Sequence, residues 1–362
     1  MNLKSLVAST ILLGSAASAL AQGSITIKSS ARNDSVYYLC YTMQEMIDGE
    51  NQSEDKQYVI TKKGKATINV PKGGAIYEFW GPGLLNNYTR KIFALPGDKI
   101  RITVTGPDIK DMTITGTALV ENVARIEAEG DSLQNILRSL PKEDRAEFDR
   151  VYTQWRERYD KALPSHLNDD FGVYCIDKAT ITAMDKHFDN LKAPAENSFM
   201  APLYEKNKIT IENYRERKAA KEKIKVGAVA PDFTLPDMEG KPVSLSSFQG
   251  KWVLLDFWGS WCKWCMVGVP QMKENYAKFS DKCEFIGIDC NEGKSAWIKA
   301  VKDNEMNWVQ LYNKPETGKP ASIIYGVSGY PTKILIDPEG KIAKVCIGED
   351  KAFYDDFAEL MK

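Results

Sequence analysis

Two cysteines, Cys262 and Cys265, stand three positions apart in "DFWGSWCKWCMVGVP", and a carboxylate, Asp256, lies six residues before the first. Two thiols at that spacing admit three readings: a redox dithiol, half of a metal site, or a pair of core side chains. The apolar run "KWVLLDFW" reads as a central strand and "CKWCMVGVPQMKENYAKF" as the helix after it. Cys262 then falls at or near the helix N-terminus. Unpaired backbone N–H groups and the helix dipole there favour a thiolate, and can bring a cysteine pKa from ~8.5 into roughly the 3.5–7.5 range. Cys265 lies on the same helical face, within reach of a disulfide. Cys262 becomes the attacking thiolate, and Cys265 the thiol that resolves the mixed disulfide. Lys263, between them, adds positive charge.

Asp256 is an oddity inside "WVLLDFW". A carboxylate in an apolar strand costs free energy, and burial should raise its pKa. Placed below Cys265, it could take that thiol's proton during the second attack. Downstream, "GVSGYPTKILIDPEGKI" places Pro331 at the mouth of a strand, where a cis bond would turn the Tyr330 backbone toward an extended substrate peptide. Trp258, Trp261 and Trp264 cluster around the cysteines. Trp261 and Trp264, on a loop and a helix start, are expected to be partly exposed and to form an apolar docking rim. The candidate substrate-binding residues are therefore Trp261, Lys263, Trp264, Tyr330 and Pro331.

Other chemistries have little to work with. A net charge of −1 argues against bulk attraction to nucleic acid or anionic membranes. Two histidines, His166 and His187, leave little for histidine-based metal or acid–base chemistry. A zinc site commonly needs four ligands from two pairs. Cys283 and Cys290 bracket one predicted strand, and seven steps at ~3.3 Å put them about 23 Å apart, too far to share a metal or a disulfide. No metal and no cofactor are called for. Seven cysteines is an odd number, so at least one thiol is free or pairs with a partner. Cys40, Cys175, Cys283, Cys290 and Cys346 read as small core residues, a Cys40–Cys175 bridge being the other arrangement open to that pair.

The chain organises around this site in stages. "MNLKSLVASTILLGSAASALAQ" has a positive start, an apolar centre and a small-x-small cleavage pattern. Residues 1–21 read as a signal peptide cleaved after Ala21, which makes the mature protein exported, periplasmic and without stable membrane insertion. Residues 22–117 read as a β-rich, sandwich-like domain: "KATINV", "DKIRITVTG" and "DMTITG" alternate with period two, punctuated by "LPGDK", "PKGG" and "GPG". Residues 118–225 read as a helical region and linker. There Pro141 suits a first helical turn, and Phe148, Val151, Tyr152, Trp155 and Tyr159 recur at helical spacing. Over 226–362, near-continuous apolar strands alternate with helices, which is the pattern of one compact α/β domain.

Three separated segments of that last region resemble exported thioredoxin-like proteins of the TlpA/ResA group: "VGAVAPDFTLPDMEGKPVSLSSFQGKWVLLDFWGSWCKWC", "FIGIDCNEGKSAWIKAVKDNEMNWVQLYN" and "YGVSGYPTKILIDPEGKI". The resemblance implies a thioredoxin fold in which Cys262 is the nucleophile, Cys265 resolves and Pro331 is the cis-proline. It also implies protein thiol or disulfide substrates and a transmembrane thiol carrier as electron donor. Two departures matter. Relatives typically have Asn in the "NFWA" strand and Glu three residues after the second cysteine, where this chain has Asp256 and Gly268. Lys263-Trp264 replaces the usual proline-containing dipeptide.

Two rivals are open at this level. A thiol peroxidase of the peroxiredoxin type shares the "APDFTLPDMEGKPVSLSSF" entry, but its cysteine needs Thr three residues earlier, and that place holds Gly259. Residues 22–225 could instead bind a partner or glycan, leaving the dithiol accessory.

Overall fold

The computed structural model describes residues 23–29, 35–49, 57–80, 91–105, 112–141, 143–314 and 319–362. The expected signal segment and the "GPG" turn lie outside the described residues. Two compact units divide between Lys208 and Ile209.

The first unit begins with β1 (Ser24–Ser29), β2 (Ser35–Tyr41), α1 (Met43–Asp48), β3 (Gln57–Ile60), β4 (Lys65–Asn69), β5 (Ala75–Trp80), β6 (Ile92–Ala94), β7 (Lys99–Val104) and β8 (Met112–Thr115). They form two four-stranded sheets, ordered β4-β1-β7-β8 and β3-β2-β5-β6. Period-two patterning explains the pairing. β4 and β7 bury alternate residues, and Ile25, Ile27, Ile100 and Ile102 meet Val36, Tyr77 and Phe79 in one sandwich core.

Helices follow: α2 (Ala118–Ser139), α3 (Arg145–Ala162), α4 (Asp170–Lys178), α5 (Ile181–His187) and α6 (Ala201–Lys221). Pro141 does not open α3. Asp144 caps it instead, accepting from the Glu147 N–H at 3.2 Å, because a side-chain acceptor satisfies an orphan donor that proline only omits. Of the aromatic and apolar stripe on α3, Val151 and Tyr159 are buried while Tyr152 is exposed. The buried face is narrower than the spacing implied because Arg158 takes part of it, with Glu127 of α2 and the Tyr159 hydroxyl as partners.

The second unit has a short hairpin of β9 (Thr234–Pro236) and β10 (Pro242–Ser244), then β11 (Trp252–Trp258), α7 (Lys263–Phe279), β12 (Cys283–Cys290), α8 (Lys294–Asp303), β13 (Val309–Asn313), α9 (Ala321–Ile324), β14 (Thr332–Ile336), β15 (Ile342–Ile347) and α10 (Phe357–Leu360). The sheet order is β13-β12-β11-β14-β15. The first three strands run parallel, and β14 and β15 pair antiparallel. This is the thioredoxin-like α/β arrangement expected from the C-terminal sequence. β11 lies at the centre and buries every residue from Val253 to Trp258. Leu254, Trp258, Phe285 and Trp297 pack on one face, and Leu255, Phe257, Ile286 and Ile288 on the other. Both faces are covered, which is why these strands read as unbroken apolar runs.

Some of the exceptions in that apolar sheet are charged. Asp289 on β12 is fully buried, and neither carboxylate oxygen has a hydrogen-bond partner of good geometry among the described residues. Burial, then the neighbouring Glu292 carboxylate, push its pKa up to about 9. The unfolded chain ionises near pH ~3.9, so the folded state holds the extra proton between there and about 9. Asp289's contribution to stability is therefore full below ~3.9 and is lost progressively up to its folded pKa. Asp289→Asn should flatten this fall. Urea unfolding of the two proteins should agree near pH 4 and diverge toward pH 9, with the variant the more stable; parallel curves would show that Asp289 ionises freely.

Candidate active site

β11 delivers the dithiol. The chain leaves the sheet at Trp258, turns through Gly259, Ser260 and Trp261, and enters α7 with Cys262 as its N-cap. Cys262 has extended backbone (φ −88°, ψ 104°), which aims its sulfur back along the helix start. The Cys265 N–H donates to Cys262 Sγ at 3.2 Å, so one orphan donor of the helix points at the sulfur. The two cysteines form a disulfide with their Cα atoms 5.3 Å apart. Both are nearly buried, whereas Lys263 is exposed.

The preceding turn is held from a strand that sequence reading did not connect to it. Glu292, just after β12, accepts from the Ser260 N–H at 2.6 Å and from the Ser260 hydroxyl. Gly259 is required by Trp261: a Cβ at 259 would lie 2.4 Å from the Trp261 Nε1 and 2.9 Å from the Cys290 carbonyl oxygen. The threonine that a peroxidatic cysteine would need three residues upstream has no room here.

The expected rim is assembled from both sides. Trp261 and Trp264 are 52% and 63% exposed, while Trp258 belongs to the core. Trp261 is fixed by donating its Nε1–H to the Cys290 carbonyl at 2.8 Å, and its ring meets Tyr330 edge-on at 5.3 Å. Asn291 donates to the Tyr330 hydroxyl at 3.2 Å. The Tyr330–Pro331 bond is cis, immediately before β14. Val267 and Ile347, which the sequence reading left out, extend the exposed apolar surface.

Beneath the dithiol lies charge. Asp256, Cys265, Gly268, Met272 and Lys333 line a cavity of about 10 Å³, room for roughly one water. Lys333 Nζ is 3.8 Å from Asp256 Oδ1, an ion-pair distance, and donates to Glu349 Oε2 at 2.6 Å. Burial raises the Asp256 pKa; Lys333 opposes that, and Glu349 adds to it, leaving it above the ordinary carboxylate range. Burial pulls Lys333 down, but its two acidic neighbours outweigh that and hold it protonated. Lys333 was visible in principle: a lysine inside the apolar "TKILID" is as anomalous as an aspartate inside "WVLLDFW". Glu349 carries no such local signal.

The other sequence candidates stay apart from this chemistry. Cys175, Cys283 and Cys290 are buried free thiols, and Cys40 and Cys346 are half-buried ones, so no bridge joins Cys40 to Cys175. Burial holds Cys283 and Cys290 up at about 12, which keeps them protonated and unreactive. His166 Nδ1 lies 2.8 Å from Asp169 in the first unit. Among the described residues, no helix is long and apolar enough to cross a membrane.

Comparison with known proteins bears on the second unit. The AhpC/TSA family model matches residues 226–345. The thiol-disulfide oxidoreductase ResA of Bacillus anthracis is 39% identical over 132 residues, 36% of this chain and 75% of that protein. ResA of Bacillus subtilis (strain 168) is 36% identical over 146 residues, 40% of this chain and 80% of that protein. Among solved structures, the thioredoxin domain of a thiol-disulfide oxidoreductase from Bacteroides vulgatus aligns with a TM-score of 0.36 and 32% identity, covering 38% of this chain and 99% of that one. With its dithiol on a thioredoxin-like sheet and this likeness over most of the relatives' length, the chain belongs to the ResA family of thiol-disulfide oxidoreductases.

Proposed function

We propose that this protein reduces disulfides in exported protein substrates, with Cys262 as nucleophile, Cys265 as resolving thiol and Asp256 as the acceptor of the Cys265 proton. The observation that carries the reading is the Cys262–Cys265 disulfide at a helix N-cap, with a buried carboxylate lining the same cavity as the second cysteine. The Cys262 thiolate attacks a substrate disulfide, forming a mixed disulfide and expelling one substrate thiolate. Cys265 then gives its proton to Asp256, directly or through one water, and attacks Cys262 Sγ. The second substrate thiolate leaves. Two electrons have passed from the dithiol to the substrate.

The supporting surface is apolar and open. Trp261, Trp264, Tyr330 and Pro331 offer an extended peptide a wall and a strand-like edge, and Lys263 keeps positive charge beside the nucleophile. Residues 1–21 act in this reading as a cleaved export signal, placing the mature protein in an oxidising compartment. A reductant there needs electrons, which a membrane-bound thiol carrier would supply. The domain limits follow the same reading: 22–117 β-rich, 118–225 helical, 226–362 catalytic.

Three outcomes are expected. Cys265→Ala in the reduced full chain should accumulate a covalent adduct with a disulfide-bearing protein, seen on non-reducing gels and released by dithiothreitol. A reactive Cys262 that forms no adduct would sink the mechanism. Asp256→Asn should slow adduct release by about tenfold or more while leaving the first attack nearly unchanged; equal slowing of both steps would remove the base role. The Cys262–Cys265 couple should equilibrate with glutathione at a potential near or below roughly −230 mV. A potential above about −150 mV would make the protein an oxidant instead.

A further inference from the structure

Lys333 and Glu349 have no part in the exchange steps above, yet the sheet spends two buried charges on them. Asp256 on β11 is registered against Lys333 on β14, and Lys333 against Cys346 on β15. Two residues past β15, Glu349 turns back over this row. The side chains of Asp256, Lys333 and Glu349 are only 10%, 3% and 9% exposed. One Asp256 oxygen and one Glu349 oxygen are buried with no hydrogen-bond partner among the described residues. Lone carboxylates so placed would be strongly unfavourable.

Their position relative to Cys265 is specific. Gly268 follows Cys265 by three residues on α7, on the same helical face. A Cβ built at 268 would lie 2.5 Å from Glu349 Cδ and 2.2 Å from Glu349 Oε2. The Glu349 carboxyl thus fills the space that a side chain at 268 would take. Only glycine admits it. With both acids ionised, the one lysine between them leaves one unit of negative charge buried next to the cavity that Cys265 shares with Asp256 and Lys333.

We propose that Lys333 and Glu349 are positioning residues of the Cys265 step, two acids sharing one lysine so that their surplus negative charge draws the thiol proton. The proposal deepens the reading in which Asp256 accepts that proton. The step balances: the Cys265 S–H bond breaks, the proton passes to the carboxylate pair, the Sγ–Sγ bond forms, and the mixed-disulfide bond breaks with its electron pair leaving on the substrate thiolate. The remaining titratable groups facing Asp256 are thiols and a phenol. Cys346 on β15, Cys290 on β12 and Tyr354 are all pushed up by burial and stay neutral near pH 7. Removing Glu349's charge therefore lowers the basicity of Asp256, and removing Lys333's charge raises its affinity for a proton.

The test follows both thiolates released when excess reduced full-length protein meets limiting dithionitrobenzoate, an aryl disulfide whose thiolates absorb visibly. The first phase reports Cys262 and the second reports Cys265. Glu349→Gln should move the pH limb of the second phase down by about one unit, and Lys333→Met should move it up by about one to three. The first phase serves as control and should keep its profile in both. Limbs that stay put, or move the same way, would overturn the proposal; Glu349→Gln, which can still accept from Lys333, decides the matter if Lys333→Met does not fold. Asp256→Asn separates the two readings. If it slows the second phase while the other variants leave the limb alone, the pair is only structural. If it leaves the second phase intact while the limbs still move oppositely, the pair acts on Cys265 directly and Asp256 is not the acceptor.

Discussion

A carboxylate held inside an apolar sheet is the constraint to which the rest of the active site answers. Asp256 sits on the central strand, with Leu254 and Trp258 on its own face packed in the core. Ionised and alone it would be too costly to keep. Its tolerance depends on Lys333 across the strand pair, and Lys333 in turn is itself too buried to stand without Glu349. Glu349 can reach that place only because α7 has no side chain at Gly268. Four segments distant in sequence are thereby fixed around one charge.

The dithiol draws on a different part of the same frame. Its sulfur chemistry is set by where β11 stops and α7 starts, and that junction is clamped by Glu292 and by the Trp261 indole rather than by the helix itself. Because Trp261 also meets Tyr330, the loop bearing Cys262 and the loop bearing Pro331 are held as one surface. Helix, strand end and cis-proline loop are separate in sequence and continuous in space. The sulfurs themselves are nearly covered, and the exposed surface around them is apolar, made of the Trp261 and Trp264 indoles with Val267 and Ile347.

What the sequence made legible follows from range. Cys262, Cys265, Asp256 and Pro331 announce themselves through neighbours within a few residues: a spacing, a misplaced charge, a proline before a strand. The apolar runs of the second unit revealed its sheet for the same reason. Lys333 had a local signal of equal quality, and only the habit of reading lysine as a wet residue hides it. Glu349 has none, because its role depends on the β14–β15 register and on the absence of a side chain at Gly268, both tertiary facts. Ser260's dependence on Glu292 is hidden likewise. In α3 the spacing of Tyr152 with Val151 and Tyr159 suggested a wider buried face than exists, because a buried Arg158 cannot be inferred from hydrophobic period.

The two cysteines are chemically identical, and the fold surrounds them with different charge, which in the proposed mechanism suits them to opposite tasks. Cys262 has a backbone N–H aimed at its sulfur and the positive end of α7 behind it, which lowers the cost of a thiolate before any substrate arrives. Cys265 has the buried Asp256, Glu349 and Lys333 below it, two acidic side chains to one basic. In the proposed mechanism that surrounding charge keeps the proton on Cys265 until Cys262 is engaged. In that mechanism the same acids then offer the proton a place when attack begins. Separating the two sulfurs in this way would use the environment rather than the residue type to order the reaction, and would give a reason for keeping a costly buried cluster under the second cysteine rather than the first.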